Sequence, residues 1–414
     1  MLVVQTHGMG VDSVAWLTAV LKGHAPKPLD FDPTQDLIVV TAMTGREYEE
    51  TRQAMQDHHL PLLADHGVRY VQIARAGWSE SDGVDVLADT GRGDPYRMVM
   101  RGAVRLEDWT FRAGTIPQTS NRNCSYWAKG WPLDHWAATH LGATPRRHVV
   151  GYAKEEEFTR AARDEGYARR VPGKQPWYPL IDWGWDRATC LAYLREQYGF
   201  EWPRSCCPFC PYQLGDLPRL RRRWQREPDG ARIAVEMEGN ALALNPRAKL
   251  FKDRTAEQVA RDAGLGDVAD QAIADLAARP FALYDVRRIY RRLGDRRHTN
   301  GRDWVLGPDP YTRATRGTAV WRSTRTLATG TREQMLAALR AQTATRRGEL
   351  VVTDRSARLV LATPGAPWPS TEHCLAVAVA GADKQQDAFD SLWDFVQAYQ
   401  ATAPRQLDLL GEPA

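Results

Sequence analysis

Residues 2–23 read LVVQTHGMGVDSVAWLTAVLKG: a short apolar run, a glycine-spaced loop, an Asp-Ser pair, and an apolar stripe at helical spacing. Residues 2–5 predict a buried strand. Residues 13–22 predict a helix with Val14, Leu17, Val20 and Leu21 on one face. A strand that ends in a glycine-rich loop opening a helix is the geometry that binds phosphate. Glycines let the backbone approach closely, and the exposed N–H groups and helix dipole favour an anion. The spacing is neither the Walker pattern nor Gly-x-Gly-x-x-Gly. The alternative is that Asp12 and Ser13 simply cap the helix.

Working outward, residues 36–41, 68–73 and 148–152 read as further strands, and 47–66 as a polar helix-like stretch. Strands alternating with helices predict an α/β fold, a doubly wound and mostly parallel sheet covered on both faces. The Gly- and Asp-rich segment 79–117 is poorly periodic and reads as a long mobile insertion of the kind that lids a site. Residues 186–198 read as a helix and 202–213 as a Pro/Cys turn region. The expected organisation is a nucleotide-binding domain over 1–215, a basic helical region over 216–300, a small α+β domain over 301–400, and a flexible tail over 401–414.

An apolar fraction of 43% with 15 Trp in 414 residues fills real cores, which excludes a disordered chain. No apolar stretch approaches the ~20 residues of a membrane-spanning helix, and the first residues lack the pattern of a signal peptide. The reading is a cytoplasmic protein without a membrane partner. The net charge of +4 is mild, but the arginines cluster. Arg219, Arg221, Arg222, Arg223 and Arg226 form one group, and Arg287, Arg288, Arg291, Arg292, Arg296 and Arg297 a second. Both suit a polyanionic partner; solvated helix faces are the other reading.

The six cysteines are Cys124, Cys190, Cys206, Cys207, Cys210 and Cys374. Grouping of this kind in a cytosolic chain points to metal or redox chemistry more than to disulfides. Cys207-Pro208-Phe209-Cys210 alone suits a zinc half-site or a redox pair. With Cys124 and Cys190 it offers a full thiolate shell for a [4Fe–4S] cluster or for structural zinc. Cys206 is an adjacent thiol that could replace a ligand or carry sulfur. Cys190 could equally be a small hydrophobe on a helix face, and Cys374 is expected to be structural.

Gly8-Met9-Gly10-Val11-Asp12-Ser13 resembles the pyrophosphate loop of the ATP pyrophosphatase superfamily, usually Ser-Gly-Gly-x-Asp-Ser. The similar branch is that of phosphoadenylylsulfate reductase and the iron–sulfur subunit of DNA phosphorothioation systems. Thr44-Gly45-Arg46-Glu47 resembles its second-strand turn, with Met43 where that branch has Asp. Arg122-Asn123-Cys124 with Lys129, then Gly151-Tyr152 with Glu155, Glu156 and Arg160, follow in the family's order. Tyr178–Trp183 and Ser205–Tyr212 complete a resemblance over roughly residues 1–215.

The resemblance implies an adenine nucleotide alpha hydrolase-like fold that binds ATP with Mg2+ through Gly8, Gly10, Val11, Asp12, Ser13, Thr44, Gly45, Glu47 and Gly151. It implies a catalytic set of Asp12, Ser13, Arg122, Lys129 and Arg160. The reaction is adenylylation of a substrate oxygen with pyrophosphate release, then attack by a sulfur or nitrogen nucleophile. The resemblance favours the iron–sulfur cluster over zinc, and a sulfur donor such as a cysteine desulfurase. The expected function is an ATP-dependent sulfurtransferase acting on nucleic acid, DNA modification or phage defence above all. A sulfonucleotide reductase would need a nucleophilic cysteine on its tail, which this chain lacks. A nucleotide-sensing, DNA-binding protein with a decayed site is the third reading. Gln406-Leu407-Asp408-Leu409-Leu410 resembles the peptide that docks on the bacterial sliding clamp, with Leu410 where an aromatic is usual.

Overall fold

Val3–Thr6 (β1) lies inside a six-stranded sheet whose neighbours bury Val3, Val4 and Gln5 in succession. In a computed structural model of the protein, which describes residues 1–119, 122–168, 171–292, 317–365, 368–386 and 388–402, the chain divides into two units. The first is Met1–Trp109 with Pro117–Ala231, and the second is Thr110–Ile116 with Arg232–Ala414. The tail peptide Gln406–Leu410 and Arg296 and Arg297 fall outside the described residues.

Besides β1, the first unit holds β2 (Leu37–Ala42), β3 (Arg69–Arg75), β4 (Val84–Asp89), β5 (Arg146–Val150) and β6 (Lys174–Trp177). Their order is β4-β3-β2-β1-β5-β6, parallel throughout except for β4 at one edge. Side chains alternate across the sheet. Val3, Leu37, Val39 and Tyr70 face a core with Val14, Trp16, Leu17 and Leu194 from the helices Val11–Leu21 and Arg187–Tyr198. Val4, Ile38, Val40 and Val71 face Trp136 and Ala137 of the helix Trp131–Leu141. Burial on both faces is why these strands read as continuous hydrophobic runs. The chain steps from β1 to β2 and β3 on one side, then returns to set β5 on the other side of β1, pairing Thr6 with Val150. Strand order therefore reverses between β1 and β5, and crevices at such switch points take ligands in doubly wound sheets.

The segment 79–117 is not the structureless insertion its composition suggests. Val84–Asp89 is an antiparallel edge strand, and Leu106–Arg112 is a helix. Arg69 grips Asp89 with Nε at 2.9 Å and a terminal nitrogen at 2.7 Å. Residues 96–99 are pinned by two side-chain amides standing in for strand partners. Gln72 donates to the Arg97 carbonyl at 2.7 Å and accepts from the Val99 N–H at 2.9 Å; Gln56 accepts from the Met98 N–H at 2.8 Å. No local periodicity announces such long-range support. β6 escapes sequence reading because Pro176 interrupts it, which an edge strand tolerates.

The second unit contains an antiparallel sheet of β7 (Phe281–Arg292), β8 (Gly317–Gly330), β9 (Glu349–Val352), β10 (Ala357–Ala362) and β11 (Ser370–Val379), ordered β8-β7-β11-β10-β9. The helix Arg332–Gln342 packs Met335 and Leu339 against Leu283, Leu359 and Leu375; the helix Phe389–Thr402 packs Phe389, Trp393 and Val396 against Ile289. The stretch 281–292, read from sequence as helical and basic, is a strand. Two of its arginines are committed: Arg288, 3% exposed, bonds Glu372 at 3.1 Å and the Leu244 carbonyl at 2.8 Å, and Arg287 pairs with Asp390 at 2.6 Å. Among the described residues no helix is long and apolar enough to cross a membrane.

Trp16 is fully buried and meets Trp177 edge-on at 6.0 Å. Trp16→Ala should cost ~3–5 kcal/mol of unfolding free energy, read as a fall in the urea midpoint; a loss under ~1 kcal/mol would contradict this packing.

Candidate functional site

β1 hands directly to the loop His7–Gly10, and the loop to the 11-residue helix Val11–Leu21. Gly10 is the N-cap, and no side chain caps the helix, so its first-turn amides have no acceptor from a capping group. Met9 adopts φ of 59° and is buried; its N–H donates to His7 Nδ1 at 3.2 Å, and its carbonyl accepts from Trp202 Nε1 at 3.0 Å. His7 stacks on His59 at 5.2 Å, and burial pushes its pKa down to about 3, so the ring stays neutral and Nδ1 can accept. These bonds shape a loop that glycine alone would leave floppy.

The loop after β5 closes on this helix start. A Cβ on Gly151 would lie 2.9 Å from the Ser13 nitrogen and 3.2 Å from the Asp12 carbonyl carbon, so only glycine permits the approach. Ser13 is buried, with its hydroxyl on the Gly10 carbonyl at 3.0 Å. Asp12 places Oδ2 3.3 Å from Arg187, while its buried Oδ1 has no partner among the described residues. Burial pushes the Asp12 carboxyl up to about 6; Arg187 opposes this, and Glu156 and Glu155 add to it. Arg160 bonds Glu156 at 2.6 Å and lies 4.6 Å over the Tyr152 ring. Asp12, Gly151 and Arg160, far apart in sequence, are thus brought together. Arg187, in the same charged group, had no sequence signal, because a partner 175 positions away leaves no local pattern.

A second group forms after β2. Gly45, at φ of 81°, turns the chain, and a Cβ there would also strike Arg105 at 2.7 Å. Thr44 donates to the Arg46 carbonyl at 2.8 Å and stands 3.6 Å from the Cys207 sulfur. Glu47 accepts from the Cys206 N–H at 2.6 Å and the Ser205 hydroxyl at 2.9 Å, so it fastens the cysteine turn to β2. Burial raises the Glu47 carboxyl, with Lys129 the chief opposing charge. Met43, in the position where the resembled branch has Asp, is buried in the apolar core. Arg122 takes φ of 49°, bonds the Tyr212 hydroxyl at 2.6 Å and stacks 4.8 Å from that ring.

The Cys207–Cys210 turn is held by the Cys210 N–H on the Cys207 carbonyl at 2.9 Å. The Pro208 carbonyl beside it accepts from Gln213, Trp224 and Tyr48 at 3.1, 3.0 and 3.3 Å. A thiolate at Cys210 would raise the pKa of Cys124, Cys206 and Cys207, so each of the three lies within electrostatic reach of Cys210. Burial is the first cause of each rise; it pushes Cys206 up to about 12 against the Arg223 guanidinium, which donates to its sulfur at 3.3 Å. Cys190 does not join them. It is fully buried with Leu194 on the inner face of Arg187–Tyr198, as a small hydrophobe. Cys374 lies buried in β11 of the second unit.

Cys124, Cys206, Cys207 and Cys210 are thiols of the donor type that binds a metal group once deprotonated, and a cation would offset the desolvation that keeps them protonated. As they stand, Cys206 turns to Arg223 and Cys207 to Thr44, and among the described residues no three His, Cys, Asp or Glu side chains are gathered as a metal site. Comparison with known protein families, curated proteins and solved structures finds no match to this chain.

The folded Asp12 value near 6 lies above its ordinary 3.8, so the folded state holds that proton more tightly and stability falls as pH rises between them. Asp12→Asn removes this penalty. It should stabilise the protein by ~1–3 kcal/mol at pH 7 and by nothing near pH 3.5. Urea midpoints at both pH values check this; equal midpoints at pH 7 would contradict it.

Proposed function

We propose that the first unit is an ATP-using enzyme of the ATP pyrophosphatase type, and that ATP lies in the crevice between the loops after β1 and β5. One observation carries the reading: an uncapped helix start, at the point where strand order reverses, is closed over by Gly151 at a distance no side chain allows. Amides of Gly8 and of Gly10 to Ser13 would receive the departing pyrophosphate, where fixed donors cost no reorganisation. Asp12, through its unpartnered Oδ1, would hold the Mg2+ that accompanies ATP and neutralises phosphate charge. Arg160, Arg122 and Lys129 supply further cations, with arginine able to grip two oxygens. Thr44 and Gly45 shape the adjoining turn.

In the proposed reaction an oxygen of the acceptor attacks the α-phosphorus, the bond to the bridging oxygen breaks, and pyrophosphate leaves. A sulfur nucleophile then displaces AMP from the acceptor. DNA is the proposed acceptor, on the resemblance to phosphorothioation systems, with sulfur delivered by a partner such as a cysteine desulfurase. A [4Fe–4S] cluster would be held by Cys124, Cys206, Cys207 and Cys210, with Cys206 in the place first given to Cys190, and would supply iron-bound sulfur chemistry beside the crevice.

Two measurements test this. Wild-type protein should release pyrophosphate from ATP, and Gly151→Ala should weaken ATP binding about tenfold, equivalent to ~1.4 kcal/mol. ATP binding without pyrophosphate release would favour a nucleotide sensor, and no ATP binding would reject the proposal. In protein purified without oxygen, about four irons and four sulfides per chain are expected. Cys210→Ala and Cys206→Ala should lower that content and Cys190→Ala should not; loss of iron in Cys190→Ala alone would overturn the ligand assignment.

A further inference from the structure

A second charged feature of the first unit lies apart from the β1–β5 crevice. The helix Leu217–Arg226 buries Leu220 and Trp224 and carries Arg219, Arg222, Arg223 and Arg226 at spacings of three and four, so these arginines share one face. With Arg204 they line a cleft of ≈ 210 Å³. Two carboxylates face these five guanidinium groups. Glu50 takes Arg223 at 2.7 Å and Arg226 at 3.7 Å, and Glu201 takes Arg219 at 2.5 Å. Asp216 also pairs with Arg219 at 3.9 Å, and Glu227 and Glu47 lie within electrostatic reach of Arg223, so the excess of positive charge is local to Arg222 and the largely exposed Arg226. Arg222 makes no ion pair or hydrogen bond among the described residues, and the Arg226 side chain is 74% exposed.

The cleft is built rather than accidental. Arg223 is buried at its floor, fixed by the Arg204 carbonyl at 2.8 Å and by the Tyr48 ring at 3.4 Å, and it reaches the Cys206 sulfur. Trp202, also buried, lines the cleft and hydrogen-bonds the Met9 carbonyl, so one indole serves as a wall of the cleft and a support of the loop after β1.

We propose that this cleft binds the phosphodiester backbone of a polynucleotide. Arg219 to Arg226 spans about 10 Å of helix axis at 1.5 Å per residue. That is the axial rise of about three nucleotides on one strand, longer than a single phosphate needs. Guanidinium groups suit the paired oxygens of successive phosphates. The inference deepens the proposed function by giving its acceptor a seat beside Cys206. It rests on that reading only for the acceptor's role in the reaction.

The test is fluorescence anisotropy of the full chain with labelled single-stranded DNA, duplex DNA and single-stranded RNA over a salt series, with ATP binding followed separately. Arg222→Glu combined with Arg226→Glu should weaken polynucleotide binding at least tenfold at ~100 mM salt. It should flatten the plot of log affinity against log salt by about 2 and leave ATP binding unchanged. Lys252→Glu with Arg340→Glu makes the same change in net charge at exposed sites elsewhere and should alter affinity less than twofold. Unchanged affinity and salt slope in the cleft variant would overturn the inference. So would wild-type protein that binds no polynucleotide, or that binds polyglutamate as tightly as DNA. If wild type fails to bind ATP while the cleft variant still loses DNA, the proposed function falls and the cleft assignment stands.

Discussion

The contact on which the first unit's site depends is the approach of Gly151 to the backbone of Asp12 and Ser13. Pairing of Thr6 with Val150 fixes β5 beside β1, and the first residue after β5 must then pass over the start of the helix Val11–Leu21. A Cβ at 2.9 Å from the Ser13 nitrogen would force either strand pairing or helix to give way. With glycine there, the helix start is held against the end of β5. The charges of Asp12, Arg187 and the Glu156–Arg160 pair then converge from three separate stretches of the sequence. The raised Asp12 carboxyl is a consequence of this enclosure, since desolvation outweighs the Arg187 guanidinium.

The cysteine turn shows a similar logic from the other side of β1. Its thiols are kept protonated by burial, and the turn itself is over-determined by three donors on the Pro208 carbonyl and by Glu47 on the Cys206 amide. Lys129, Arg204 and Arg223 lie within electrostatic reach of these thiols and would offset charge when their protons leave. Glu47 is the opposing charge, and its second task is mechanical.

The parallel sheet was legible because its strands are buried on both faces, so Leu37–Ala42 and Arg69–Arg75 carry apolar runs that survive a shift of a residue or two. The loop after β1 was legible from its glycines. The clustering of Asp12, Arg160 and Gly151 followed only through resemblance, and Arg187 followed from nothing local. Val84–Asp89 was hidden by its Gly- and Asp-rich surroundings, although Val84, Val86 and Ala88 do alternate. The strand Phe281–Arg292 was hidden by its arginines, which read as a solvated helix face. In the structure Arg288 is sequestered by Glu372 and a backbone carbonyl, a pairing no spacing could reveal. The inward turn of Cys190, buried with Leu194 on its helix, was visible only in three dimensions.

The central claim is that phosphate groups of ATP meet the amides at the start of the helix Val11–Leu21. Backbone hydrogen exchange with and without Mg-ATP tests it at those atoms. The account predicts slowed exchange confined to residues 8–13 and the loop after β5, with little change in the second unit. Unaltered exchange over 8–13 under conditions where ATP binds, with protection appearing elsewhere, would contradict it.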